Sequence, residues 1–508
     1  MTELTVHLRV NDAATGQPTP VRLRISGPDG QTFAPLGRLT RFPVGSGEAV
    51  GLNVLLGNEP FALIDGTCEV RLPTAVPLRL QVDKGPCYAP LDQTVTLGPG
   101  QMALRLRIER CLVPPGASLD LRCHALTPHA AALEGAAGGL DVVQLLVRET
   151  TFSSLHSGEA FVTLPNLEAF SGQQPALVQH GCSVVVNTLN THPVLGSLAL
   201  LQAHRVIYPL AFGGPDATDD WSLCDWADQC HRKGGLVVWV DAPGTAHGGE
   251  ALAALILGRV DALELAPERG TITGLREAYR LWSAGLRVPI VGASGKQSNR
   301  EALGSLRTLT LDGPDWLAAV KAGRTAVSNG PVVRLLVNDQ PPGARLTLPP
   351  GETLRVVAWA ESVQPFERLE VVADGKVIGT ASPSLATASS ASTALAESTA
   401  VAGAAVYTAK LELTHALESN GWLAARVVAG ARSWADRLTP LFAHTSCVMV
   451  EVGVPGASQV QVRAQLSEAL ARVGEWAESV GRYALPQRRQ ALLETLTAAR
   501  ARLEAGGC

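Results

Sequence analysis

At 508 residues the chain is too long for one hydrophobic core, and three or four domains are expected. Hydrophobic residues at 46% and charged residues at 17% exclude a disordered polar chain. The net charge of −4 is spread along the sequence, which offers no basic face to nucleic acid, and no apolar run approaches the roughly 20 residues of a bilayer span.

Residues 1–110 alternate with a period of two. Leu4, Val6, Leu8 and Val10 interleave with Thr5, His7 and Arg9, and the period returns in Val21, Leu23, Ile25 and in Leu104, Leu106, Ile108. Gly27-Pro28-Asp29-Gly30 and Gly98-Pro99-Gly100 punctuate these runs, so the segment reads as a β-sandwich. The opening residues lack a charged head before an apolar core and do not read as a secretory leader. Nine cysteines lie far apart with no CxxC pair, and the spacing of Cys224 and Cys230 matches no common zinc motif. Reduced thiols in a cytoplasm are expected.

From 111 to 329 the pattern changes to short apolar runs alternating with helical stretches. Val184-Val185-Val186, the run 236–240, the run 261–265 and the run 288–292 suit a buried parallel sheet, with helices near 221–233, 249–259 and 272–285. A barrel or layered α/β unit follows, with any site at the carboxyl ends of its strands. Residues 330–456 return to a β-sandwich, with Asp374-Gly375 as a hairpin turn and an Ala/Ser/Thr-rich insertion over 382–405 that reads as a flexible loop. Over 457–508, Val462, Leu466, Leu470, Val473, Trp476 and Val480 recur at helical spacing. Pro486 restarts the chain, and Leu492, Leu496, Ala499 and Leu503 continue the stripe. The whole is a multidomain α+β chain ending in a helical hairpin packed on the body.

Three stretches carry a family likeness. Ser118-Leu119-Asp120-Leu121-Arg122-Cys123-His124 looks like a Gly-Asp-x-His-x-His strand, followed by Gly139 to Val143. Gly234 to Trp239 leads to Gly249-Glu250 and to the run 260–264. Ala322-Gly323-Arg324, Asn329-Gly330-Pro331, the run 422–426 and Phe442 to Thr445 close the series. In this order and spacing the chain resembles the CehA/McbA-type metallohydrolases, whose central domain is a PHP-like (polymerase and histidinol phosphatase) (β/α) barrel. The resemblance implies two or three divalent metals, zinc or manganese, held by His, Asp and Glu at the strand ends. Such metals turn a bound water into hydroxide.

Most of the ligand positions that the resemblance implies are substituted. Arg122 stands for the first His of the pair and only His124 remains; an arginine stays protonated and cannot ligate. Asn187 stands where a Glu ligand belongs, and Gly196-Ser197-Leu198 replaces Gly-His-Leu. Val240-Asp241-Ala242-Pro243 replaces Ala-His-Pro, and Gly292 to Lys296 replaces Gly-Ser-Asp-x-His. Arg122 and Lys296 are expected to share the cavity, with Asp120, Asp241 and Glu264 as counter-charges. That set either fills a dead site with buried ion pairs or binds a small anionic ligand such as carboxylate or phosphate.

Other residues bear on a metal. His129 follows Pro128 on an expected loop and is a substitute ligand beside His124 and Asp241. His231 reads as a solvated helix residue, and His192, His204 and His444 as structural histidines. Two functions stay open: a catalytically impaired homologue acting as scaffold or anion binder, or a hydrolase of an ester, amide or phosphoester with a reduced site. No cofactor, nucleic acid or membrane partner is called for otherwise.

Overall fold

The computed structural model describes residues 3–45, 48–153, 160–214, 217–242, 249–387, 401 and 404–505. In the first unit the strands Glu3–Asp12, Thr67–Pro73 and Ala103–Ile108 form one sheet. Val21–Ser26 lies in a second sheet between Glu59–Ile64 and Pro77–Asp83. The alternation seen in the sequence becomes the core: Val6, Leu8 and Val10 of one sheet and Leu23, Ile25 and Leu80 of the other are buried in one cluster. Each such side chain contributes about 1.5–3 kcal/mol.

Among the described residues the central unit is a ring of seven strands. Ser118–Cys123, Val142–Val147 and Cys182–His192 are parallel neighbours. Gly196–Leu201 follows by a hairpin and runs antiparallel both to Cys182–His192 and to Leu236–Val240. Ala262–Glu268 and Ile290–Gly292 complete the series in parallel. The ring closes where Gly295 N–H donates to the Arg122 carbonyl at 3.0 Å and His124 N–H donates to the Lys296 carbonyl at 2.8 Å. The runs expected in a parallel sheet do share one direction, and Gly196–Leu201, which the sequence does not single out as a strand, is an antiparallel strand inserted among them. Gly196 takes φ +119 beside the tight return after His192, which leaves no room for a crossover helix.

Helices cover the outside of the ring: α1 Pro128–Ala137, α2 Leu223–Arg232, α3 Gly249–Ile256 and α4 Leu275–Ser283, while α5 Trp316–Ala322 closes one end of the interior. The sequence places Pro128 on a loop, whereas it is the first residue of α1, capped by Thr127. Proline fits there because the first helical N–H has no partner to lose.

The ring wall continues without a break into the last β-unit. Arg307–Thr310 pairs with Ser118–Cys123, Thr325–Ser328 pairs with Arg307–Thr310, and Pro440–Thr445 pairs with Thr325–Ser328. A second sheet, built on Val332–Val337, Thr353–Ser362 and Ala405–Ala416, faces it across a core that includes Leu335, Val356, Leu369 and Leu423. Asp374 and Gly375 take φ +48 and +79 in the expected hairpin. Within 382–405, Ser384–Thr387 is a strand paired with Ala405–Thr408, not loop; 388–400, 402 and 403 lie outside the described residues.

The helical hairpin of α6 Ala457–Ser479 and α7 Pro486–Glu504 buries Leu466, Leu470, Val473, Leu492, Leu496 and Leu503 in the same cluster as α2, α3 and α4. Val480, read as the end of the stripe, is 63% exposed because α6 stops at Ser479. No helix among the described residues is long and apolar enough to cross a membrane.

Candidate functional site at the carboxyl ends of the ring

The ends of the parallel strands bring Arg122, Arg148 and Asp241 near Glu264. Glu264 points inward from the middle of its strand, and a break in register after Asp120 turns Arg122 toward it. The pair is bidentate: Nε donates to Oε2 at 2.8 Å and Nη2 to Oε1 at 2.6 Å. Side-chain exposures of 6% and 1% leave little water to screen it. Burial works against the Arg122 charge, but the attraction of Glu264 and its hydrogen bonds outweigh that and hold the guanidinium charged. Asp241 adds a longer contact to Arg122 Nη2 at 3.4 Å from a carboxylate that is 58% exposed. Its φ of +55 is strained for a residue with a Cβ.

Lys296 does not join them. Its side chain is fully buried, pairs with Glu134 of α1 at 3.1 Å, and donates to the carbonyls of Ser298 and Glu301. Glu134 in turn accepts the Leu303 N–H at 3.0 Å. The expected two-cation cavity of Arg122 and Lys296 is therefore absent from the geometry. The loop after Gly292 hydrogen-bonds back to the first strand and delivers Lys296 to the α1 side. The second cation near Arg122 is Arg148, which directly follows a buried strand. Its Nη2 donates to Gln297 Oε1 at 2.9 Å, and among the described residues no carboxylate is paired with it. Burial and then repulsion by Arg122 push its pKa down.

Asp120 is not a counter-ion either. It is fully buried and accepts N–H groups from Arg122, Ser294 and Gly304, stapling the first strand to the loop that closes the ring. Asn187 lies below the strand ends, where it donates to Gln144 Oε1 at 2.9 Å; Asn187 Oδ1 and Gln144 Nε2 have no partner among the described residues. Ser197 and Asp241 share a cleft of about 320 Å³ with Thr191, Gly196 and Trp239. Pro243, the end of that motif, lies outside the described residues.

The described histidines do not converge. His124 is buried, its Nδ1 is 2.9 Å from the Leu146 carbonyl, and its Nε2 has no partner among the described residues. Burial, then repulsion by Arg148 and Arg122, lowers its pKa to about 3. His129 is exposed in the first turn of α1 and lines a different groove, beside the N-terminal unit. His192 is spent on both nitrogens: Nδ1 accepts the N–H groups of Val194 and Leu195, and Nε2 bonds Asp219 at 2.8 Å. His231 bonds Asp261, His204 is exposed, and His444 bonds Tyr279.

A divalent metal does not fit this donor set. Arg122 takes both oxygens of Glu264, and the free lone pair of His124 is flanked by two guanidinium charges. Among the described residues no group of three His, Cys, Asp or Glu is placed to hold an ion. Sequence reasoning missed Arg148 and Gln297. The place of Arg148 at the end of a buried strand was the available signal.

No family model matches the chain, and no curated protein matches it. Among solved structures, a variant of BcpA, the major pilin subunit of Bacillus cereus, is similar at 6% identity over 89% of this chain and 69% of that one. Its TM-score of 0.23 is too low to assign fold or function.

Proposed function

We propose that the protein is a PHP-like metallohydrolase homologue that has lost metal-dependent hydrolysis, with its central barrel serving as a scaffold. The observation that carries the reading is the bidentate Arg122–Glu264 pair, buried at the strand ends where metals would be held. In a water-poor site a fixed guanidinium repels a divalent ion and occupies a carboxylate that the ion would need. Asp120 and Lys296, each drawn into structural contacts, support the same reading.

The test is hydrolysis of simple aryl esters, amides and phosphoesters with zinc or manganese supplied. No turnover above the uncatalysed rate is expected. Turnover abolished by His124→Ala and by Asp241→Asn would establish instead a hydrolase with a reduced, single-metal site.

A second reading, binding of a small anion, is favoured by Arg148, a half-buried cation whose partner is a neutral amide. Phosphate or a small carboxylate would then raise the thermal midpoint by mass action, less so at high salt. Arg148→Met would abolish the shift. A shift that survives in Arg148→Met would remove that reading.

A further inference from the structure

Cys87 and Cys111 lie on paired segments where the three units meet. Tyr88 and Arg110 form an antiparallel bridge, flanked by hydrogen bonds from Ala89 N–H to the Glu109 carbonyl at 3.0 Å and from Cys111 N–H to the Cys87 carbonyl at 2.8 Å. That pattern sets Cys87 directly opposite Cys111, with both side chains on one face of the ladder. Both belong to a small apolar cluster with Leu112 of the linker, Leu309 of the ring wall and Val332 of the last β-unit. Cys111 is 6% exposed and Cys87 is partly exposed.

We propose that Cys87 and Cys111 are a redox pair that closes to a disulfide under a peroxide oxidant, locking the N-terminal β-unit to the linker that enters the ring. Cα atoms opposite each other in such a pair lie about 5.5 Å apart, inside the disulfide range of about 4.4–6.8 Å. Their Cβ atoms, about 4.5–5.5 Å apart, must close by about 1 Å.

Cys87, whose thiol lies in the positive field of Arg307 and Arg110, is the attacking thiol. Its thiolate attacks the O–O bond of hydrogen peroxide; an S–O bond forms, the O–O bond breaks, and the leaving hydroxide takes up a proton to give water. Cys111, giving up its proton, then attacks the Cys87 sulfur; the S–S bond forms, the S–O bond breaks, and a second water leaves. Two thiols are oxidised by two electrons and one peroxide is reduced to two waters. Burial raises both thiol pKa values, only partly countered at Cys87 by Arg307 and Arg110, so closure is slow at neutral pH and faster in alkali.

Peptide mapping of the full chain after hydrogen peroxide and alkylation tests this. A cross-linked Cys87–Cys111 peptide, lighter by two hydrogens and split by dithiothreitol, is expected, together with a rise in the thermal midpoint that dithiothreitol reverses. Cys111→Ser should lose both while melting like the reduced wild type. Two separately alkylated or over-oxidised cysteines in the wild type, or a bridge between Cys87 and some other thiol, would overturn the proposal whatever the variant does. A bridge that forms without raising the midpoint would overturn the locking role.

Discussion

Removing one partner of the Arg122–Glu264 pair strands a charge in a site with almost no water. Side-chain exposures of 6% and 1%, with two close contacts at 2.6 and 2.8 Å, put the pair in the buried class. Breaking such a pair costs about 3–5 kcal/mol, whereas replacing both members by apolar groups is near neutral or stabilising. Asp241 cannot compensate, because its contact is 3.4 Å long and its carboxylate is mostly solvated, worth under about 1 kcal/mol. Arg122→Met and Glu264→Gln should therefore each destabilise the ring strongly, while Arg122→Met combined with Glu264→Leu should recover most of the loss. A chain of several units does not unfold in two states, so native-state hydrogen exchange over Leu236–Val240 and Ala262–Glu268 is the suitable assay. Protection lost by about 100-fold or more in each single variant, and largely restored in the double variant, is expected at about 1.4 kcal/mol per tenfold. Single variants that lose less than about tenfold, or a double variant that loses the sum, would refute the reasoning.

Lys296→Met should also cost about 3–5 kcal/mol, because Glu134 then stays buried without its cation. It should leave any response to phosphate unchanged, which a melting series checks against Arg148→Met. His444 gives a pH prediction. Burial holds it neutral down to about 4, while an unfolded histidine protonates near 6.5. The unfolded chain thus binds the extra proton in that window, so stability falls as pH drops from about 6.5 to about 4, by about 3 kcal/mol. His444→Gln should flatten that part of the stability–pH curve; an unchanged curve would contradict the assignment.

Elements whose apolar period matches their burial were legible in the sequence. The Val6, Leu8, Val10 face and the Leu466, Leu470, Val473 stripe need only local spacing to be read, and both are buried as that spacing requires. What failed depended on where a side chain turns and on partners far along the chain. Lys296 meets Glu134 across 162 positions, on a helix that stays hidden while Pro128 reads as a loop residue instead of the start of α1. Arg122 meets Glu264 and Asp241, two of the three carboxylates expected around it. The third, Asp120, is held by three backbone N–H groups that no residue pattern announces. The antiparallel strand Gly196–Leu201 is equally silent, since a buried apolar run looks the same in either direction.

On the proposed reading, the Arg122–Glu264 ion pair stands where a metallohydrolase would hold its metals. Elemental analysis of the purified, dialysed protein tests it most directly. Well under one tightly bound divalent ion per chain is expected, with no gain after incubation with zinc or manganese and a second dialysis. Stoichiometric zinc or manganese that survives dialysis and is lost in His124→Ala would contradict it, and would make His124 Nε2, without a partner among the described residues, a metal ligand.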